Sequence, residues 1–155
     1  MWKIMKDRYL FKAKRVDNGE WVEGSLITCE DGTYKIATSY IDGDTNMAIL
    51  ICAYDVVKDT ICQCTGLKDI NGKLIWENDV VLKSSYTDYD YYAYSKAYIG
   101  LIQYEDAGWS VKAIKPDGRV YISPIIEMIA NSKDIEHFEV IGNIFDNPEL
   151  LESEG

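Results

Sequence analysis

Short apolar runs, rich in β-branched and aromatic residues, recur along the chain and are separated by turn residues. Asp31-Gly32 lies between two such runs, which is a strong signal for a β-hairpin, and Glu105-Asp106-Ala107-Gly108 occupies a similar position. No long segment has apolar residues at the 3.6-residue spacing of an amphipathic helix. The pattern therefore predicts a mainly β protein, either a sandwich or a barrel. We expect strands over residues 21–27, 33–40, 47–57, 60–64, 74–76, 79–82, 99–104, 109–114, 119–122 and 138–145.

Helix is predicted at only two places, and each is short. One segment, residues 124–129, begins with Pro124, and proline suits the first position of a helix. The other is a single turn that begins at Pro148. We find no internal repeat of fixed period.

The charge balance disfavours several kinds of partner. The 155 residues carry 16 basic and 26 acidic side chains, which gives a net charge of −10. Long-range attraction to nucleic acid or to an anionic membrane is therefore disfavoured. The sequence has no apolar run of about 18 residues, and its start lacks the apolar segment of a secretory signal. We therefore expect a cytoplasmic protein without a membrane-spanning segment.

The two ends of the chain differ in charge. Residues 1–15 contain six basic and one acidic side chain, whereas residues 127–155 contain one basic and eight acidic side chains. Such ends could attract each other within one chain or between subunits. The alternative is that both are solvated surface segments.

The cysteines and the single histidine limit metal and thiol chemistry. Cys62 and Cys64 are two residues apart, so on a strand they share one face, where two thiolates could bind a soft metal. A closed zinc site needs four ligands, and neither Cys29, Cys52 nor His137 completes a metal-binding spacing with them. We therefore expect reduced thiols, no metal and no cofactor.

The sequence also lacks complete motifs for phosphate binding, calcium binding and acid–base catalysis. Gly72-Lys73 is not followed by the serine or threonine of a phosphate-binding loop. In the segment that begins at Asp42, Met47 stands where an EF-hand needs glycine, which leaves a polar turn. Glu105 and Asp106 are adjacent, so on a strand they would point to opposite faces. The sequence predicts no catalytic residue, and we do not expect an enzyme.

Residues 84–98 are unusual because they contain six of the twelve tyrosines. Three interpretations are open: an inserted loop whose rings pack on the protein, a contact with another protein or a second copy, and a stacking platform for single-stranded nucleic acid. Asp88 and Asp90 lie among the tyrosines and disfavour the third. The tyrosines that we expect to make contacts are Tyr86, Tyr89, Tyr91, Tyr92, Tyr94 and Tyr98.

Three segments carry a recognisable pattern. The first joins FKAKR at 11–15 to NGEWVEGSLI at 18–27, the second reads QCTGLKDINGKLIWENDVV at 63–81, and the third reads FEVIGNIFDNPELL at 138–151. Together they resemble the YopX family of small bacteriophage and prophage proteins, whose pattern is roughly TGLKDxNGKxIxEGDIV in the middle and EVIGNIxxNPELL near the end. Asn78 replaces a usual glycine, and asparagine also tolerates a left-handed backbone. The tyrosine-rich stretch is longer than the usual connection.

The resemblance implies a fold and a setting, without an established activity or catalytic residues. It implies an SH3-like barrel over residues 60–147, with a tyrosine-rich insertion at 84–98. Residues 1–59 would form an additional N-terminal β region, and residues 148–155 an acidic tail. The implied setting is the cytoplasm of an infected or lysogenic bacterium.

We therefore expect a non-catalytic β module of a phage or prophage that binds protein or assembles with itself. Its partner would be a second copy or another phage or host protein. A single-stranded nucleic-acid module that uses the tyrosine-rich loop is one alternative, and an enzyme is another. The motif residues are interpreted as turn-forming and structural; they are Gly66, Asp69, Gly72, Asn78, Asp79, Gly142 and Asn143.

Overall fold

Strands dominate both halves of the protein. The computed structural model describes residues 7–83, 98–114, 119–124 and 138–152. In these ranges the chain forms eleven strands and two short 3-10 turns, in two antiparallel sheets, so the prediction of a mainly β protein is confirmed. The chain divides into two compact units between Gly66 and Leu67.

The first unit contains five strands of a six-stranded antiparallel sheet, in the order β4-β3-β2-β1-β5, and the sixth strand, β6 (Leu74–Trp76), pairs with β5. Polar turns join its hairpins: the Asp31 carboxylate accepts hydrogen bonds from the amide and hydroxyl of Thr33, at 2.9 and 2.6 Å. The Asp42 carboxylate binds the amide and hydroxyl of Thr45 in the same manner. The strands are β1 (Phe11–Lys14), β2 (Trp21–Thr28), β3 (Tyr34–Ile41), β4 (Ala48–Asp55) and β5 (Cys62–Lys68).

This sheet curls so that the end of β4 meets the end of β1. Arg15 forms an antiparallel bridge with Val56, and the amide of Val57 donates to the carbonyl of Lys14 at 2.8 Å. The core of this unit consists of Ala13, Ile36 and Val56, against which Phe11, Val22, Leu26, Tyr34 and Ile61 pack. Burial of these apolar side chains is the main force that stabilises the unit.

The second unit is a five-stranded antiparallel sheet with the order β10-β9-β8-β7-β11. The end of β5 leads through a tight turn into β6. The core consists of Ile75, Val81, Ile102, Val111 and Phe138. The five strands of this sheet are β7 (Asp79–Lys83), β8 (Tyr98–Glu105), β9 (Gly108–Ile114), β10 (Val120–Pro124) and β11 (Phe138–Asn143).

Both expected turns beyond residue 100 are present in the structure. The hairpin at 105–108 is confirmed: Glu105 pairs with Gly108, and the two residues between them have left-handed backbones. The turn that begins at Pro148 is confirmed as the 3-10 turn Pro148–Leu151. Pro124 is the last residue of β10, so no helix begins there, and residues 125–129 lie outside the described ranges. Strand β1 was missed, because FKAK contains no β-branched residue.

Candidate protein-contact site

The tyrosine-rich stretch falls almost entirely outside the described residues. Tyr86, Tyr89, Tyr91, Tyr92 and Tyr94 are among the residues that the structure does not describe, so their role stays a prediction. Tyr98 begins β8 and packs, half-buried, against the core of the second unit. The ammonium of Lys83 lies 5.7 Å from the centre of its ring.

Asp69 organises the turn between β5 and β6. One carboxylate oxygen accepts hydrogen bonds from the amides of Asn71 and Lys73, at 2.9 and 2.8 Å. The other accepts from the amide of Val140 in β11, at 3.0 Å. The residue is only 6% exposed, and the left-handed Gly72 completes the turn. The carboxylate therefore joins two segments that are far apart in the sequence.

A second buried carboxylate, that of Asp79, serves the turn before β7. It accepts a hydrogen bond from the amide of Trp76 at 2.8 Å, and the residue is 2% exposed. Asn78 has φ of +65°, so the predicted left-handed turn without glycine is confirmed. The backbone of Asn78 donates to the carbonyl of Ile102 and accepts from the amide of Ile144, and so connects three parts of the second unit.

The end of β11 is a close-packed turn. The side chain of Asn143 accepts hydrogen bonds from the amides of Phe145 and Asp146, at 2.9 and 3.0 Å. At Gly142 a Cβ atom would lie 2.5 Å from the side-chain oxygen of Asn147. A side chain at this position would therefore have to displace the side chains of Asn147 and Leu150. With the left-handed Gly66 of β5, these contacts favour a structural role for the motif residues.

The cysteines and polar turns give no metal site in the described part of the chain. Cys62 and Cys64 are buried; the thiol of Cys62 donates to the carbonyl of Thr60, and the amide of Gly66 donates to the sulfur of Cys64. Within the described ranges, no three His, Cys, Asp or Glu side chains lie together so as to hold a metal ion. His137 lies outside those ranges.

Two exposed ion pairs lie on the surface of the first unit. Arg15 and Asp17 are joined at 2.5 Å, and this hydrogen bond raises the pKa of Arg15 and lowers the pKa of Asp17. Lys35 and Asp55 are joined at 2.6 Å across β3 and β4, which raises the pKa of Lys35. Pairs this exposed contribute little to stability. The two ion pairs do hold their charged groups at defined positions on the first unit.

A strand was expected at residues 119–122 and is present as β10, but the sequence did not predict its position at the end of the second sheet. It pairs with β9 on one side, and among the described strands it has no partner on the other. Its three successive apolar residues Val120, Tyr121 and Ile122 are 51%, 42% and 55% exposed. The lack of polar alternation in the run VYI was the available signal, because an edge strand with one solvated face normally alternates.

Strand β11, at the opposite end of the second sheet, makes hydrogen bonds with the turn between β5 and β6. At the far side of the sheet, the carbonyl of Phe138 in β11 accepts a hydrogen bond from the amide of Ile70, and the amide of Val140 is bound by Asp69. That edge is therefore covered by the turn between β5 and β6. Edge strands that are left uncovered are natural sites for strand pairing.

Comparison with known proteins agrees with the sequence pattern. The pattern of the family described as "YopX protein" matches residues 10–152. The chain belongs to the YopX family. Among solved structures, this YopX-family chain is similar to protein EF1440 from Enterococcus faecalis, with 26% identity and a TM-score of 0.52. The similarity covers 92% of this chain and 96% of that one. No curated protein matches the sequence. Among the described residues, no helix is long and apolar enough to cross a membrane.

Proposed function

We propose that this YopX-family protein is a non-catalytic accessory protein of a bacteriophage or prophage that assembles with copies of itself in the bacterial cytoplasm. The observation that carries the proposal is the β10 edge strand, in which the three successive apolar residues Val120, Tyr121 and Ile122 are all exposed. An edge strand offers a row of backbone donors and acceptors, and exposed apolar side chains add affinity when a second strand covers them.

The strand order of the second sheet supports the expected SH3-like architecture. Strands β7, β8, β9 and β10 follow one another as a meander, and β11 returns to pair with β7. This is the order that an SH3-like barrel uses. In such a sheet the last strand of the meander remains at an edge, where it can meet a partner.

The two buried carboxylates of the motif support a role without catalysis. Asp69 binds three backbone amides, and Asp79 binds the amide of Trp76. A general acid or base needs a carboxyl group that can reach a substrate proton. Carboxylates that hold turns together from buried positions do not meet that requirement.

The proposal predicts weak, concentration-dependent association. The β10 edge has five residues, so strand pairing alone would bury less surface than a standard stable interface. Sedimentation velocity from low to several hundred micromolar should show species heavier than the 17.7 kDa chain, increasing with concentration. A purely monomeric protein over that range would contradict the proposal.

A matched pair of variants tests the site. Ile122→Lys places a charge on the β10 edge strand, and we expect it to abolish association. Ile70→Lys changes the same residue type at a similarly exposed position, 58% against 55%, in a turn instead of an edge strand, and association should persist. Equal association of both variants would overturn the assignment of the edge.

A binding assay tests the alternative partner, single-stranded nucleic acid. Binding of single-stranded nucleic acid would show as an affinity that falls steeply with salt. We expect no binding to an unstructured oligonucleotide at low salt. A protein that stays monomeric but binds the oligonucleotide would favour that alternative over self-assembly.

A further inference from the structure

Strand β10 ends the second sheet, and one row of its backbone groups has no partner among the described strands. We propose that the β10 strands of two copies pair antiparallel about a two-fold axis at Ile122, which joins their second sheets into one. The inference rests on the proposed function, because it names the strand that occupies the β10 edge and the symmetry of the contact.

The hairpin between β8 and β9 shows which residues of β9 bind β10. Glu105 and Gly108 are separated by a two-residue turn, so they form a hydrogen-bonded pair, and such pairs recur at every second position of an antiparallel ladder. Val111 and the other odd-numbered residues of β9 therefore direct their N–H and C=O groups toward β10. Ile102, which lies opposite Val111, agrees, because its carbonyl accepts from the amide of Asn78 on the other side of β8.

The same alternation places three residues of β10 at the outer edge. Tyr121 and Ser123 lie opposite the residues of β9 that face β10, so the backbone groups of Val120, Ile122 and Pro124 point away from β9. Pro124 agrees, since proline is tolerated in an edge strand where its missing N–H would face outward. In the described part of the chain, no backbone hydrogen bond from another segment reaches these three residues.

The outward groups of β10 complement those of a second β10 strand. With the two-fold axis at Ile122, the N–H and C=O groups of this residue meet the C=O and N–H groups of the same residue in the second copy. The N–H of Val120 meets the C=O of Pro124 in the second copy, and the symmetry repeats this bond. The missing N–H of Pro124 leaves only the Val120 carbonyl of each copy without a partner, at the solvated end of the pair.

The side chains of β10 also suit a second copy. The strand reads VYISP and contains no charge, so two such strands meet without like charges opposite each other. Ile122 lies beside its counterpart, and Val120 lies beside Pro124 of the second copy. Val120 and Ile122 are 51% and 55% exposed in the single chain, so pairing covers apolar surface.

The other described sheet edges are less open to a strand from a second copy. Strand β4 has a bulge at Ile51, and the carbonyl at its end, that of Asp55, accepts from the amide of Val16. Strand β6 has only three residues, and strand β11 is bound by the turn between β5 and β6. Bulges, short strands and covering segments are means by which sheets avoid edge pairing. The edge that a second copy brings to β10 is therefore again β10.

The symmetry sets the size of the assembly. A two-fold contact uses the same surface on both copies, so it closes at the dimer. Sedimentation velocity should reach twice the chain mass of 17.7 kDa and no more. Each copy has a net charge of −10 while the contact contains no charge, so added salt should strengthen association. Growth beyond the dimer, or association that weakens as salt rises, would overturn the pairing.

Cross-linking tests the position of the axis. In the paired strands, the Cα atoms of Ile122 and its counterpart lie about 5.5 Å apart, whereas those of Val120 and its counterpart lie about 14 Å apart. Cys29→Ser and Cys52→Ser first remove the thiols that are not buried. In that background, a thiol cross-linker too short for the longer distance should join copies of Ile122→Cys and not copies of Val120→Cys. Equal cross-linking of the two variants would place the axis elsewhere and overturn the proposal.

A proline at an outward position tests the backbone pairing. Val120→Pro removes an N–H that points away from β9, at the first residue of the strand, where proline is tolerated. By symmetry the dimer loses two hydrogen bonds, so we expect dimerisation to weaken roughly thirtyfold. The control Val120→Thr keeps the N–H and the β-branched shape and should still dimerise. Circular dichroism checks that both variants are folded, and a folded Val120→Pro that dimerises as well as Val120→Thr would contradict the pairing.

The outcomes distinguish this inference from the proposed function. If the unchanged protein assembles and Ile122→Lys prevents it, the proposed function stands. The two-fold pairing still falls if Ile122→Cys is not cross-linked in preference to Val120→Cys. If the unchanged protein never assembles, both fall.

Discussion

The carboxylate of Asp69 allows a sharp test of how the second unit is held together. It accepts hydrogen bonds from the amides of Asn71, Lys73 and Val140, and the residue is 6% exposed. Asp69→Asn keeps the shape of the side chain but replaces one oxygen with an NH2 group. The remaining oxygen can still accept from Asn71 and Lys73. The NH2 group then faces the N–H of Val140, so two donors meet without an acceptor.

The size of the effect follows from these contacts. A hydrogen bond to a charged group contributes about 1.5–3 kcal/mol, and a donor left unsatisfied in a buried place costs about 1–3 kcal/mol. The bond to Val140 is lost and the other two become weaker because the charge is gone. We therefore expect Asp69→Asn to destabilise the second unit by about 3 kcal/mol, which corresponds to a roughly hundredfold change in an equilibrium constant.

Hydrogen exchange followed by NMR measures this locally. The protection of the Val140 amide should fall by roughly a hundredfold, by the same conversion of free energy to an equilibrium constant. The control is Asp106→Asn, which makes the same chemical change in an exposed hairpin turn and should leave Val140 unaffected. A fall of less than about fivefold, equivalent to about 1 kcal/mol, would refute the argument that the carboxylate secures β11.

Three further predictions concern turns. Gly142→Ala should cost about 1–3 kcal/mol in urea denaturation, since its Cβ would lie 2.5 Å from a neighbouring oxygen; Gly43→Ala, with nothing within 4 Å, should change stability by less than about 0.5 kcal/mol. Ala107→Gly should stabilise the hairpin by about 0.5–1 kcal/mol, because Ala107 has φ of +64°; a loss of stability would count against left-handed strain. Hydrogen bonds from Thr45 lower the pKa of Asp42 below its ordinary value of 3.8. Their stabilisation is therefore present above the ordinary pKa and lost as the pH falls through the lower folded value. An NMR titration of the carboxyl group with a midpoint at or above 3.8 would contradict this.

Much of the fold could be predicted because its signals are local. Turn residues such as Asp31-Gly32 and the apolar runs beside them predicted most strands to within a few residues. Strand β1 was not predicted because its sequence FKAK has weak β propensity. It forms a strand because β2 and β5 pair with it on either side. Local composition cannot show such a tertiary effect.

The candidate site was harder to predict for the same reason. The sequence suggested that Asp69 holds turn amides, but its third partner, Val140, is 71 residues further along the chain. The exposure of β10 depends on its place at the end of a sheet, which is set by strand order and not by the residues of β10. The tyrosine-rich stretch was more conspicuous in the sequence, and its role stays a prediction.

The bond between Asp69 and Val140 has a consequence for synthesis. A ribosome adds about 5–20 residues per second, so roughly 4–14 s separate the translation of the two partners. During this delay the nascent carboxylate must remain hydrated or bind only its neighbouring amides. The second unit can therefore complete its folding only after Val140 has been made, whereas the first unit, which ends at Gly66, can fold while the second is still being translated.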